Sequence, residues 1–203
     1  MENETFTLLP LTLDPTSKAV SCASVSSPTL TTELAELNAL QRSLLTLDSP
    51  VPPPPVPVNP KRSAAITKLR ESGNAAFRKA AFAEAIRMYA FGIEMALGRP
   101  SWEPSGLVRD EVAGLYANRA QAHMAMQNWV EGMVDAECSV EMKKVGNAKA
   151  WWRRGRCLVE MGRLEEARDW LERAREFEAT DPDIEGLRKE VDGLLEKRGK
   201  GGK

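Results

Sequence analysis

The chain has 203 residues, with 28 Lys/Arg against 29 Asp/Glu, one histidine, and 42% apolar residues. That length suits one domain with flanking segments, and the net charge of −1 gives no reason to expect nucleic acid as a partner. With His123 the only histidine, neither a histidine-built metal centre nor a His-based catalytic group can be assembled, and no cofactor is expected.

Met1–Pro10 lacks the basic start and long apolar stretch of a signal peptide, and no apolar run approaches bilayer length. Residues 5–15, TFTLLPLTLDP, suit a short extended stretch interrupted by Pro10, and the Ser/Thr-rich residues 16–31 read as loose. Leu34, Leu37, Leu40, Leu44 and Leu47 then recur at helical spacing, with Thr31 or Thr32 as the expected N-cap. Nothing nearby in sequence covers this amphipathic helix, so it either packs on the main domain or docks on another subunit. Residues 50–60 hold seven prolines and form a stiff polyproline II spacer.

From Lys61 to Lys197 the pattern is helical and repeats internally. Gly73, Phe82, Ala85, Tyr89 and Gly92 define one unit. Ala120, Trp129, Gly132, Ala136 and Ser139 define a second, and Gly155, Leu164, Ala167, Leu171 and Ala174 a third. A small residue is required where two antiparallel helices approach closely, with a large one beside it. This is the helix-turn-helix signature of tetratricopeptide (TPR) repeats. The excess spacing between the first two units falls on GRPSWEPSGLVRD, read as a loop. Cys138 and Cys157 lie in helical patterns and read as small core residues, and Cys22 as a third reduced thiol, since no CxxC spacing links any of them. A last helix over 181–197 presents Ile184, Leu187, Val191, Leu194 and Leu195 as a solenoid cap, followed by the basic tail RGKGGK.

The expected fold is all-α: a three-repeat TPR solenoid with a capping helix, preceded by a segment with a short extended stretch and one amphipathic helix. The expected organisation is an N-terminal docking segment over 1–49, a proline-rich linker over 50–60, the TPR domain over 61–197 and a flexible basic tail over 198–203.

The first helix of each pair lines the concave side of such a stack. Arg70 and Asn74 form an i, i+4 pair there, Asn118 follows in repeat 2, and Lys149 and Arg153 form a second pair in repeat 3. In KLRESGN, LYANR and KAWWR these positions resemble the dicarboxylate clamp of TPR domains that bind chaperone tails. The one departure is Arg70, where that pattern has Lys. Three cations would balance the two carboxylates of a C-terminal acidic residue, and two amides would add directional donors. Gln121, Trp152 and Arg156 are candidate further groove contacts, while Trp151 reads as core. Basic residues beside Trp also suit single-strand binders, but the clamp accounts for the same charges.

The stretches PPPPVPVNPKRSA, KLRESGNAAFRKAAFAEAIRMYAFGIEMALGRPSWEP and DAECSVEMKKVGNAKAWWRRGRCLVEMGRLEEAR, with the TFTLLPLTLDP start, resemble the small cytosolic TPR subunit family of the fungal endoplasmic reticulum Sec translocation complex. The resemblance implies a non-enzymatic adaptor on the cytosolic face of that membrane. It also implies a single-span membrane subunit as anchor, reached through the acidic N-terminal segment and the outer surface of the repeats. Two larger membrane subunits would stand beside it, and the groove would receive the Glu-Glu-Val-Asp tail of cytosolic 70-kDa heat-shock chaperones. A soluble co-chaperone with the same clamp is the runner-up. An enzyme would need a second folded domain, for which residues 1–60 are too short and too rich in proline.

Overall fold

The computed structural model describes residues 9–23, 27–45 and 58–201 and divides the chain into two units, Met1–Pro57 and Val58–Lys203. In the first, Asp14 turns the chain: its Oδ1 accepts from the Thr16 and Ser17 amides at 3.0 and 2.6 Å, and Lys18 takes a left-handed φ of 58°. The turn joins β1 (Leu11–Leu13) to an antiparallel β2 (Val20–Cys22), with Leu13 opposite Val20. Part of the Ser/Thr-rich stretch expected to be loose is thus a strand, because the Asx turn delivers it beside β1.

Helix α1 (Pro28–Leu45) starts earlier than expected. Ser27 Oγ caps it by accepting from the Leu30 amide at 3.1 Å, and Pro28 stands at the first helical position. Thr31 and Thr32, the expected caps, lie inside the first turns and donate back to the carbonyls of Ser27 and Pro28. Nor is the helix without a neighbour. Asn38 clasps β2 by accepting from the Val20 amide and donating to the Val20 carbonyl, both at 2.8 Å. Leu47, residues 5–8 of the extended stretch and residues 50–57 of the spacer lie outside the described residues.

The second unit holds α2 (Pro60–Arg78), α3 (Phe82–Leu97), α4 (Ser105–Ala125), α5 (Trp129–Met142), α6 (Ala148–Glu160), α7 (Leu164–Phe177) and α8 (Pro182–Gly201). The first six form three helical hairpins and α8 caps the last, as the repeat arithmetic requires. Asn59 caps α2 by accepting from the Lys61 amide at 3.0 Å, so Pro60 opens the helix instead of ending the spacer.

Within each hairpin the contact is made by the first small residue and the residue sixteen positions on. A Cβ on Gly73 would fall 2.5 Å from the Tyr89 ring, and one on Gly155 2.9 Å from Leu171. In repeat 2 the corresponding Ala120 and Ala136 are both fully buried. Every hairpin turn ends its first helix alike. Ala80, Gln127 and Gly162 take left-handed φ of 59°, 59° and 72°, and the amides of Ala81, Asn128 and Arg163 bond back to the carbonyls of Ala76, His123 and Leu158. This is the Schellman closure, with glycine in repeat 3 alone.

The excess between repeats 1 and 2 is not all loop: residues 98–104 connect, and the rest begins α4. Buried Arg99 holds the connection down by donating to Glu111 and Ser63 Oγ and to Glu103. Tyr89, Leu115 and Ile93 centre the core of the first two repeats. Trp151 and Trp170, with ring centroids 4.3 Å apart, centre that of repeat 3 and the cap, where Ile184, Leu187 and Val191 seal the end. Cys157 is fully buried with its sulfur against Gly132 of α5, and burial pushes its thiol up to about 12; Cys138 is only half-buried. Helix α8 runs to Gly201, four residues into the expected tail. No proline stops it, and Lys197 and Arg198 near its end complement the helix dipole favourably.

Two substitutions test this account by chemical unfolding. Gly73→Ala drives a methyl into the buried Tyr89 ring and is expected to cost about 2 kcal/mol. Gln127→Gly relieves a left-handed side-chain residue and is expected to stabilise by up to about 1 kcal/mol.

Candidate functional site

Helices α2, α4 and α6 line a groove of about 1100 Å³, with walls that include Ala117, Asn118, Gln121, Lys149, Trp152 and Arg153. The small residues that close each hairpin also place the groove residues. Asn74 follows Gly73 by one position, Asn118 precedes Ala120 by two, and Arg153 precedes Gly155 by two. A helix turns about 100° per residue, so a residue one position from the packing contact points to the side of the hairpin, toward the neighbouring repeat.

Asn74 and Asn118 are joined. Asn118 Nδ2 donates to Asn74 Oδ1 at 3.1 Å, and the Tyr89 hydroxyl donates to the same oxygen at 2.7 Å. With its acceptor filled twice, Asn74 keeps its NH₂ free among the described residues, which makes it a directed donor. Burial raises the Tyr89 phenol above its ordinary range, against the opposing charges of Arg153 and Arg78, so the hydroxyl stays a proton donor.

Arg153 is 8% exposed. Its Nη1 donates to the Ala117 carbonyl at 2.8 Å and its Nη2 to Gln121 Oε1 at 2.7 Å, both neutral acceptors. Burial lowers its pKa, opposed only by the influence of Tyr89. The other arginines near the core have carboxylates: Arg99 has Glu103 and Glu111, Arg119 has Asp135, and Arg154 has Glu137. Among the described residues Arg153 has none.

Lys149 and Arg70 are exposed and likewise make no ion pair among the described residues. Lys149 lines the groove, and Arg70 stands one turn before Asn74 on α2. Of the further candidates, Gln121 holds Arg153, and Trp152 both lines the groove and packs on the core of repeat 3. Arg156 lines the groove but is held by Glu160 at 2.6 Å and Glu190 at 2.9 Å. Trp151 is fully buried.

Sequence reasoning missed three features of the groove. Tyr89 was read as a packing residue, although its hydroxyl orients Asn74. Phe77, Met124 and Trp129 give one end an apolar lining, and Glu178, Asp181 and Asp183 give the other an acidic rim. The three-residue spacing of Phe77 from Asn74 and of Met124 from Gln121 could have placed the first two of these apolar residues. The rim comes from the α7–α8 turn, which no helical periodicity positions. Among the described residues no group of three His, Cys, Asp or Glu could hold a metal ion.

A tetratricopeptide repeat family model matches residues 142–191. The ER protein translocation subcomplex subunit sec67 of Schizosaccharomyces pombe is 32% identical over 140 residues, covering 67% of this chain and 72% of that protein. Among solved structures, a chain of the Sec complex from S. cerevisiae superimposes with a TM-score of 0.74, at 23% identity and over 93% of this chain and 98% of that one. The second TPR domain of human RPAP3, in complex with the HSP70 peptide SGPTIEEVD, gives a TM-score of 0.54 at 22% identity, over 64% of this chain and 98% of that one. The two structural likenesses establish the fold.

A buried cation with no counter-charge costs folding energy that a buried apolar residue of similar volume does not. Arg153→Met is therefore expected to unfold within about 1 kcal/mol of the parent chain or to be more stable, as read by denaturant titration. Arg119→Met, which strands buried Asp135, is expected to lose about 3 kcal/mol.

Proposed function

The chain belongs to the family of the ER protein translocation subcomplex subunit sec67 and is a TPR adaptor subunit of that translocation machinery; on that premise we propose that its groove is a dicarboxylate clamp for the free C-terminus of cytosolic 70-kDa heat-shock chaperones. The observation that carries this reading is Arg153, a buried guanidinium lacking a carboxylate among the described residues. Such a charge is worth its desolvation where an anionic ligand completes it.

A terminal Asp brings two carboxylates. Arg153, Lys149 and Arg70 supply the balancing charge, and the amides of Asn74 and Asn118 supply neutral donors of fixed direction. Arg70 stands where a point charge would serve, and its fork allows two parallel bonds to one carboxylate. The apolar end at Phe77, Met124 and Trp129 suits the aliphatic side chains of a tail ending in Glu-Glu-Val-Asp. The human RPAP3 domain that shares this fold is bound to a peptide with that ending, which supports the reading by analogy.

No described helix is long and apolar enough to cross a membrane. We place the subunit peripherally on the cytosolic face of the endoplasmic reticulum membrane, anchored by a single-span subunit and neighboured by larger membrane subunits of the same complex. Leu37, Leu40 and Leu45 of α1 are exposed at 45%, 37% and 61%, and they make the first unit a candidate docking surface for the anchor. The chaperone would thus be held beside the pore without any chemistry performed by this chain.

Calorimetry with a Glu-Glu-Val-Asp peptide tests the clamp. Amidating the terminal carboxylate is expected to weaken binding at least about tenfold, Asn74→Ala and Arg153→Ala are expected to abolish it, and higher salt is expected to weaken it. Equal affinity for the amidated peptide, or for both variants, would refute the assignment.

A further inference from the structure

The groove has opposite charge at its two ends. Glu178, Asp181 and Asp183 form the rim beside Lys149. Glu178 accepts from the Asn147 amide and Asp181 from those of Asp183 and Ile184, so part of that acidity is engaged, but no cation pairs with any of the three among the described residues. An acidic chain leaving the clamp in that direction meets repulsion.

At the other end α2 and α4 stop beside each other. Beyond Phe77 and Ala125, which line the groove, the chain continues into a shallow recess lined by Ala81, Phe82, Glu84, Arg87 and Met126. Arg78, Lys79 and Arg87 are exposed here against the single acid Glu84. Residues 61–97 carry seven Lys/Arg and three Glu, and none of these ten forms an ion pair among the described residues. From Arg99 onward, fifteen Lys/Arg–Asp/Glu ion pairs tie the described charged side chains together. Repeat 1 therefore presents a basic surface that the described residues do not neutralise. Arg78 lies one turn past Asn74 on α2, close enough for its charge to act on the Tyr89 hydroxyl that orients Asn74.

We infer that Arg78, Lys79 and Arg87 form a second anion subsite continuous with the clamp, one that takes the acidic side chains upstream of the terminal residue and so sets the direction in which the tail lies. The inference rests on the clamp reading and deepens it, from a free terminal carboxylate to a tail with acidic residues before its end. The reach is suitable. One helical turn from Asn74 to Arg78 is about 6 Å, which two residues of extended chain span. The third to sixth residues from the end then lie over the basic turn, while the apolar floor at Phe77 takes the side chain between. These exposed charges contribute modestly to affinity and more to choosing among tails.

Fluorescence anisotropy on the full chain tests this with two ten-residue peptides ending in Val-Asp with a free carboxylate, one carrying Glu and the other Gln at the third to sixth positions from the end. The Glu peptide is expected to bind about fivefold tighter at low salt. The double variant Lys79→Gln, Arg87→Gln should lose most of that preference while binding the Gln peptide as the parent does, which also serves as its folding control. A photo-crosslinker at the sixth residue from the end should label 80–84 or Met126. A preference unchanged in the double variant, or labelling at 178–183, overturns the second subsite and leaves the clamp standing. If neither peptide binds the parent chain, the clamp reading fails and this inference fails with it.

Discussion

Each helical hairpin of the repeat domain rests on one steric constraint, the near contact of a residue with little or no side chain against the residue sixteen positions later. Gly73 admits the Tyr89 ring and Gly155 admits Leu171, at distances a methyl group would violate. Because the contact recurs in each hairpin, the first helices of the three hairpins come side by side with equivalent positions aligned. Asn118 and Arg153 hold one such position in repeats 2 and 3. Asn74, Gln121 and Arg156 hold another across all three. The groove is a consequence of packing, and its chemistry is whatever the chain places one or two residues from the contact.

What the chain places there departs from ordinary folding logic. Most charged groups in repeats 2 and 3 are paired, and buried Asp135 has Arg119 bidentate at 2.7 Å. Arg153 is buried among neutral acceptors, and Asn74 spends its one acceptor on two internal donors. Both arrangements leave donor capacity unused among the described residues, which is what the proposed anionic ligand would take up. Tyr89 links the two levels, since its ring fills the space beside Gly73 and its hydroxyl aims Asn74. A change to that packing contact therefore reaches the ligand through one side chain.

The first unit follows a different logic. No residue of α1 is buried, and the unit is held by backbone groups: a strand pair, an Asx turn at Asp14 and the two bonds from Asn38 to Val20. Fixed geometry with exposed leucines and a net negative composition suits a surface completed by another protein. Its strand β2 and its cap at Ser27 were invisible to periodicity because both depend on local side-chain bonds from Ser, Asn and Asp, which compete freely in short polar stretches.

The sequence alone determined the three hairpins, the capping helix and the placing of Arg70, Asn74, Asn118, Lys149 and Arg153 on the first helices of the repeats; their candidacy as a clamp came from resemblance to other TPR domains. The placing follows from spacing, and spacing survives unchanged from chain to helix. It did not determine where the helix ends lie, because α4 begins inside an apparent loop and α8 continues into an apparent tail, each by a few residues whose helical state depends on neighbours. Tertiary structure alone decided which cations are free. A guanidinium at a given spacing looks the same whether a carboxylate from another helix reaches it, as Glu190 reaches Arg156, or none among the described residues does, as at Arg153. Arg156 and Glu190 lie on different helices and far apart in the chain, so the feature that most distinguishes the groove as a site exists only once the helices are stacked.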